Sequence, residues 1–203
     1  MKSSFDDAIV FTGHMIDAPG RKAERFPARA EGRAREAILR AVEGLIVAGR
    51  EPVGIAGGAS GGDLLFHEVC EELGVQTRLR LALPVEEYLK ASVAPAGEEW
   101  VVRFHALVER LGAEGMRVLD ESVLLPEWLT GGAETEGAEL NVWARTNLWM
   151  VSEAIGIAPH RTLLALWDGK AGDGPGGTEH LVKAAPGFGM DVGAVIRTQD
   201  LFR

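Results

Sequence analysis

Two glycine-rich turns constrain this chain most, because each follows an apolar, strand-like run and opens a helix-like one. The first glycine turn is residues 57–63, GGASGGD, and the second is residues 172–178, GDGPGGT. Glycines permit positive φ and a close approach of the backbone to an anion, and free N–H groups at the start of a helix favour negative charge. Together the turns predict a site for a nucleotide or another phosphorylated small molecule.

Composition narrows the class of protein. At 203 residues, 46% of them hydrophobic, the chain is expected to form one domain over residues 1–203. It contains no apolar run near the roughly 20 residues that span a bilayer, so we expect a cytoplasmic protein with no membrane partner. A net charge of -9 disfavours nucleic acid as a partner, since non-specific nucleic-acid binding depends on a basic face. A small-molecule ligand is the better expectation.

The order of elements predicts an α/β fold. Apolar strand-like runs alternate with stretches of helical period and are joined by short turns, which is typical of a doubly wound, mostly parallel Rossmann-like sheet of about six strands with helices on both faces. Residues 120–139 show no sustained period and predict a long loop that could cover a site. The strand-like runs are residues 8–11, 53–56, 79–83, 116–119, 162–167 and 192–196.

Ligands of such sheets bind outside the carboxyl ends of the strands, near the point where strand order reverses. Both glycine turns follow strand ends, and the same rule adds the residues that follow the first and fifth strands. The candidate ligand-binding residues are Gly13, His14, Gly57, Gly58, Ser60, Gly61, Gly62, Asp63, Asp168, Gly176, Gly177 and Thr178.

Several of these side chains have a structural alternative. Asp63, Ser60 and Thr178 would each be well placed to cap a helix, and His14 could be a hydrogen-bonded structural histidine. The basic stretch 20–35 reads mainly as a solvated surface, from which one or two arginines could reach a ligand phosphate. The histidines lack the paired spacing of metal sites, so we expect neither a metal nor another cofactor.

On these residues the chain resembles the SLOG superfamily, the Rossmann-like group that includes the Lonely Guy phosphoribohydrolases and the DNA-processing protein A fold. The resemblance runs through residues 9–14, 57–63, 143–150 and 163–178. It implies a domain that binds a nucleotide-derived ligand, as sensor domains of this group are thought to do, and it implies a homo-oligomer.

The same resemblance supplies an alternative function. Lonely Guy enzymes cleave the bond between base and ribose of a nucleoside monophosphate, using an Arg on one helix and a Glu after a PGGxGT turn. Arg145 matches the Arg, but the position of the Glu falls at Leu181. Glu179 is the nearest carboxylate, and its side chain points elsewhere on a helix. Arg145 and Glu179 are the candidate catalytic residues of this hydrolase alternative, and the mismatch favours a binding domain.

Overall fold

The computed structural model describes residues 5–130, 141–170 and 176–202. Its strands are β1 (Asp7–Gly13), β2 (Pro52–Ala56), β3 (Gln76–Leu81), β4 (Met116–Val118), β5 (His160–Trp167) and β6 (Asp191–Arg197). Its α-helices are α1 (Glu31–Glu43), α2 (Gly62–Glu72), α3 (Val85–Ser92), α4 (Glu98–Gly115), α5 (Glu127–Thr130), α6 (Val142–Ile157) and α7 (Thr178–Ala184).

Within these ranges the strands form one sheet in the order β4-β3-β2-β1-β5-β6, and every pairing is parallel. The order reverses between β1 and β5, whose neighbouring carboxyl ends are therefore the expected place for a ligand. The α/β fold predicted from the alternating elements is confirmed.

Alternation along β1 explains why helices cover both faces. Ile9 and Phe11 enter the hydrophobic cluster that contains α1, α2 and α4 residues, whereas Ala8 and Val10 enter the cluster built with α6 and α7. Successive side chains of a strand point to opposite faces, so a strand buried on both faces must be apolar throughout. This is why residues 8–11 form an unbroken apolar run.

Several expected boundaries shift by a few residues, and two segments differ in kind from the expectation. β3 ends at Leu81, so Leu83 lies beyond the strand, and the expected loop 120–139 contains the short helix α5. Leu129 of α5 is buried against the α6 side of the sheet, which gives this segment an apolar anchor. Residues 131–140 of the expected loop lie outside the described residues. Within the described ranges, none of the helices combines the length and apolar character needed to cross a bilayer.

Candidate functional site

A cavity of about 460 Å³ lies at the carboxyl ends of β1, β2 and β5. The segment after β1, the first glycine turn, the start of α6 and the end of the second glycine turn all contribute to its wall. Cavities of this size hold small-molecule ligands in other proteins. Because parallel strands end at the same edge of the sheet, the fold brings together segments that are far apart in the sequence.

The segment after β1, residues 14–26, brings two arginines to the cavity; we call it the arginine loop. Asp17 fixes its shape, because Oδ2 accepts the backbone N–H groups of Arg25 and Phe26 at 2.9 and 3.0 Å. Asp17 Oδ1 also lies 3.5 Å from Arg21 Nε. Arg21 and Arg25 both line the cavity. The sequence predicted that one or two arginines of this stretch reach the site, without specifying these two.

Arg25 is held by the carboxylate of Asp168, which follows β5. Arg25 Nε lies 3.1 Å from Asp168 Oδ2, and Arg25 Nη2 lies 3.3 Å from Oδ1. Burial by itself would raise the pKa of Asp168, but hydrogen bonds from Arg25, from the Lys170 N–H and from His14 lower it well below its ordinary value. Asp168 is therefore a carboxylate at neutral pH and orients the guanidinium of Arg25.

His14 joins the same group from the end of β1. Its Nε2 lies 3.0 Å from Asp168 Oδ1 and 3.1 Å from the Asp168 backbone nitrogen, so Nε2 makes one of these bonds in each neutral tautomer. Burial lowers the pKa of His14, the hydrogen bond to Asp168 opposes that shift, and Arg25 adds to it. The net direction is downward, so His14 is neutral at pH 7 and adds no charge to the cavity.

The first glycine turn is not an open phosphate cradle. The N–H of Gly58 donates to the Tyr88 hydroxyl at 3.0 Å, and the N–H of Ala59 donates to Asp63 Oδ2 at 3.3 Å. The Ser60 and Gly62 N–H groups donate to the carbonyls of Ser92 and His14 at 2.9 and 3.0 Å. A phosphate needs such donors free, so this turn does not offer them as the sequence suggested.

Its glycines instead allow close contact between α2 and the end of β1. A Cβ on Gly62 would lie 2.8 Å from the Cα of Gly13, and a Cβ on Gly61 would lie 2.7 Å from the backbone nitrogen of Ile16. Gly61 also has φ of 105°, in the region that favours glycine. The glycine pattern is therefore explained by packing within the protein at these positions.

Asp63, at the start of α2, lines the cavity and is 9% exposed. Burial raises the pKa of Asp63 to about 7, against the opposing effect of backbone hydrogen bonds from Ala59 and Gly13. A carboxyl group that titrates near neutral pH inside a cavity is the kind of group found at functional sites. Oδ2 bonds the N–H of Ala59, which precedes α2, and α2 has no side-chain cap, so the helix-cap alternative for Asp63 is not supported and its ligand role stays a prediction.

The second glycine turn contacts α6. Gly176 has φ of 90°, and a Cβ there would lie 2.5 Å from the backbone nitrogen of Ala144 and 2.8 Å from the Cβ of Trp143. Asn147 Nδ2 donates to the Gly176 carbonyl at 2.6 Å. These contacts place Gly176, Gly177 and Thr178 along the cavity wall. Residues 172–175 of this turn lie outside the described residues.

An aromatic group lines another part of the wall. Tyr88 is 3% exposed, and its ring lies 5.7 Å from the ring of Trp143 and 6.0 Å from the ring of Phe104, centroid to centroid. Tyr88 and Trp143 both border the cavity. The cavity thus combines guanidinium groups with flat apolar surfaces, a combination suited to a ligand with an anionic and an aromatic part.

The predicted site residues divide between the wall of the cavity and the structure behind it. Those that line it are Gly13, His14, Gly57, Asp63, Gly176, Gly177, Thr178 and Glu179. The residues that do not line it are Gly58, Ser60, Gly61, Gly62, Asp168 and Arg145. Ser60 is fully buried, and Asp168 contacts two residues of the cavity wall, Arg25 and His14.

The two candidate catalytic residues fall on opposite sides of this division. Arg145 donates from Nη2 to the backbone carbonyl of Val123 at 2.9 Å, so it bonds the segment before α5 and does not line the cavity. Glu179 does line the cavity, with 26% of its side chain exposed, and lies 2.6 Å from Lys183 Nζ. The structure therefore does not bring the Arg and the Glu of the hydrolase alternative together in this cavity.

Sequence reasoning missed three residues that shape the cavity: Asp17, Tyr88 and Asn147. Asp17 lies three residues past a strand-end candidate, but its bonds reach eight and nine residues along the chain, beyond any local turn pattern. Tyr88 and Asn147 carry no local signal, since a tyrosine or an asparagine on a helix has many roles. Among the described residues, no group of histidine, cysteine and carboxylate side chains is arranged to hold a metal ion.

Comparisons with known proteins add little to this site. No family model matches the chain, and no curated protein matches it. One solved structure with similarity is Streptococcus suis SuiB bound to S-adenosylmethionine, with 13% identity and a TM-score of 0.27. The match covers 96% of this chain and 40% of SuiB, so the chain spans less than half the length of that protein. At this TM-score the similarity supports no conclusion about the site or the function of this chain.

Proposed function

We propose that the cavity binds a nucleotide or a nucleotide-derived phosphorylated ligand, and that the protein acts as a sensor domain of SLOG type. The observation that supports this most is that Arg21 and Arg25 line one cavity together with residues 176–178 of the second glycine turn and with aromatic side chains. Guanidinium groups suit phosphate because their planar N–H donors match its oxygens.

The ligand orientation follows from the charges. The phosphate would lie near Arg25, whose guanidinium is already oriented by Asp168. A preoriented side chain loses little conformational entropy when a ligand binds, which favours affinity. The base would lie against the rings of Tyr88 and Trp143. This assignment leaves the first glycine turn, whose Gly58, Ala59, Ser60 and Gly62 N–H groups are occupied, away from the phosphate.

Calorimetric titration with AMP, ADP, GMP and cyclic AMP, each with and without Mg²⁺, tests this function. We expect at least one of these nucleotides to bind, and Arg25→Gln to weaken that binding by tenfold or more, because a charge-assisted phosphate contact is lost. Arg29→Gln is the matched control: Arg29 belongs to the same basic stretch but pairs with Glu24 at the surface. Absence of binding across the panel, or equal weakening in both variants, would contradict the proposal.

The hydrolase alternative retains one supporting observation, the position of Glu179 in the cavity wall. Incubation with purine monophosphates would release free base and ribose 5-phosphate if the protein cleaves the N-glycosidic bond. Glu179→Gln should then abolish release, because the carboxylate would orient water or stabilise positive charge on the ribose. Nucleotide binding without release of base supports the sensor function over the hydrolase.

A further inference from the structure

Asp63 adds an acidic group to a cavity whose arginine loop carries two cationic side chains. Its carboxyl group lies at the start of α2 and occupies the Ala59 N–H, a donor that an anionic ligand could otherwise use. Oδ2 accepts the Ala59 N–H at 3.3 Å, and the residue is only 9% exposed. A ligand phosphate placed here would meet a second negative group in a poorly solvated site, which is unfavourable.

The carboxyl group shares its corner of the cavity with the hydroxyl of Tyr88. A Cβ on Gly57 would lie 2.7 Å from Asp63 Oδ2 and 3.1 Å from the Tyr88 hydroxyl oxygen, so both groups border the space beside Gly57. The Tyr88 hydroxyl already accepts the Gly58 N–H at 3.0 Å. In this corner an ionised carboxylate is a strong acceptor, and it favours a neutral ligand group that donates a hydrogen bond.

The other charged groups of the cavity wall lie on other elements than Asp63. Arg21, Arg25, Asp17 and His14 belong to the arginine loop, and Glu179 lies on α7. Arg80, on β3, has its guanidinium occupied by Glu153 and by the carbonyls of Leu79 and Gly115. On α3 the titratable neighbour is Tyr88, and the buried carboxyl group of Asp63 raises its pKa together with burial, which is the larger cause.

We propose that Asp63 determines the ligand specificity of the cavity: its carboxylate accepts a hydrogen bond from a ribose hydroxyl or a base N–H, and by occupying the Ala59 N–H it keeps phosphate away from that donor. The inference rests on the proposed function for the identity of the ligand. The exclusion of phosphate from the Ala59 N–H is independent of that identity. A donor bound to the carboxylate favours its ionised form, so binding near pH 7 releases a proton from Asp63.

Calorimetry with AMP, 2′-deoxy-AMP and purine riboside 5′-monophosphate tests the donor. Asp63→Asn keeps the size of the side chain and should weaken AMP binding by 10- to 100-fold, as expected for the loss of a hydrogen bond to a charged group. In the wild type, weak binding of the deoxy analogue assigns the donor to the ribose, and weak binding of purine riboside assigns it to the base amino group. Asp63→Asn should bind AMP and the discriminated analogue alike.

A matched control and a proton count accompany this titration. Asp191→Asn, at the exposed start of β6, should leave the affinity for AMP unchanged. Titrations in two buffers of different ionisation enthalpy should show that the wild type releases more protons than Asp63→Asn at pH 7. Equal AMP affinity of wild type and Asp63→Asn, or equal wild-type affinity for all three nucleotides, would overturn the role of Asp63.

Crystals soaked in inorganic phosphate test the exclusion without any nucleotide. In the wild type we expect no phosphate within hydrogen-bond distance of the Ala59 N–H. Phosphate bound there would overturn the inference whatever the nucleotides do. If AMP fails to bind while phosphate stays away from this turn, the exclusion stands and the nucleotide ligand of the proposed function is contradicted, so the two failures are distinguishable.

Discussion

Arg25 and Asp168 join segments 143 residues apart in the sequence, with Arg25 Nε 3.1 Å from Asp168 Oδ2. The pair connects the arginine loop, which follows β1, to the residue that follows β5. These two strands flank the point where the order of the sheet reverses. The contact therefore fixes a cationic side chain at the position where α/β folds bind their ligands.

We expect Asp168→Asn to weaken both ligand binding and the fold. The substitution takes from the largely buried Arg25 the carboxylate that orients it, and loss of one partner of such a pair costs about 3 kcal/mol in the free energy of unfolding. The pKa of Asp168 is lowered in the folded state, so its stabilisation is complete above the unfolded pKa near 4 and is lost as the pH falls further. Urea unfolding should show a wild-type advantage at pH 7 that shrinks at pH 3; a constant advantage would contradict this account.

Asp63 should have the opposite effect on pH dependence. Its folded pKa of about 7 lies above the unfolded value near 4, so the folded state holds a proton that the unfolded state has lost. Stability from this group is present below pH 4 and is lost as the pH rises to 7. Asp63→Asn should therefore gain stability relative to wild type between pH 5 and pH 8, by up to a few kcal/mol at about 1.4 kcal/mol per pKa unit.

Thermal denaturation at pH 5, 6, 7 and 8 checks this prediction. The difference in melting temperature between Asp63→Asn and wild type should grow with pH over this range. The control Asp191→Asn should show no such trend, because its side chain is exposed. A difference that stays flat from pH 5 to pH 8 would mean that Asp63 is ionised in the folded protein throughout.

His67, one turn further along α2, should change the stability with pH in the opposite direction to Asp63. It is fully buried with Nε2 3.0 Å from the Gly57 carbonyl oxygen, and burial lowers its pKa to about 3. Its folded pKa lies below the unfolded value near 6.5, so the unfolded state gains a proton first and stability falls as the pH drops from 6.5 towards 3. His67→Gln keeps a donor for Gly57 and should remove this acid-sensitive component. Urea unfolding at pH 4 and pH 7 measures it, and an unchanged pH slope would contradict burial as the cause.

Glu153 should be important for stability and not for ligand binding. It bonds Arg80 at 2.6 Å through both oxygens and Arg78 at 2.6 Å, tying α6 to β3. Glu153→Gln leaves the 3%-exposed Arg80 without a full counter-charge, at a cost of about 3 kcal/mol in the free energy of unfolding. Glu36→Gln removes an exposed pair with Arg40 at 3.9 Å and should cost less than about 0.5 kcal/mol. Comparable losses in the two variants, measured by urea unfolding, would refute the assignment.

Gly176→Ala should disrupt the second glycine turn. The new Cβ would lie 2.5 Å from the Ala144 nitrogen, so the turn must move away from α6 in addition to adopting an unfavourable φ. Gly49→Ala is the matched control, because Gly49 has a φ of 81° with open space around it and pays only the backbone cost of about 1 kcal/mol. We expect the larger loss of stability and the loss of nucleotide binding in Gly176→Ala. Equal losses in both variants would show that the contact with α6 is unimportant.

The alternation of apolar strands and amphipathic helices was sufficient to predict the α/β fold, because burial on both faces of a parallel sheet imposes a local pattern that the sequence displays. The rule for strand ends also placed Gly13, His14, Gly57, Asp63 and the end of the second glycine turn at one site. Whether the Gly58, Ser60 and Gly62 N–H groups of the first glycine turn are free was decided by tertiary structure, since Tyr88, Ser92 and His14 occupy them.

The sequence also could not show which arginines reach the cavity. Six basic residues look alike between Gly20 and Arg35, and only the bonds from Asp17 and Asp168 select Arg21 and Arg25 for the cavity. Arg145 matched a family position in the sequence, yet in the fold it bonds the Val123 carbonyl. Local sequence encodes periodicity and backbone freedom, which are properties of neighbouring residues. The partners of a polar side chain come from distant segments, and they become defined when the sheet brings the strand ends together.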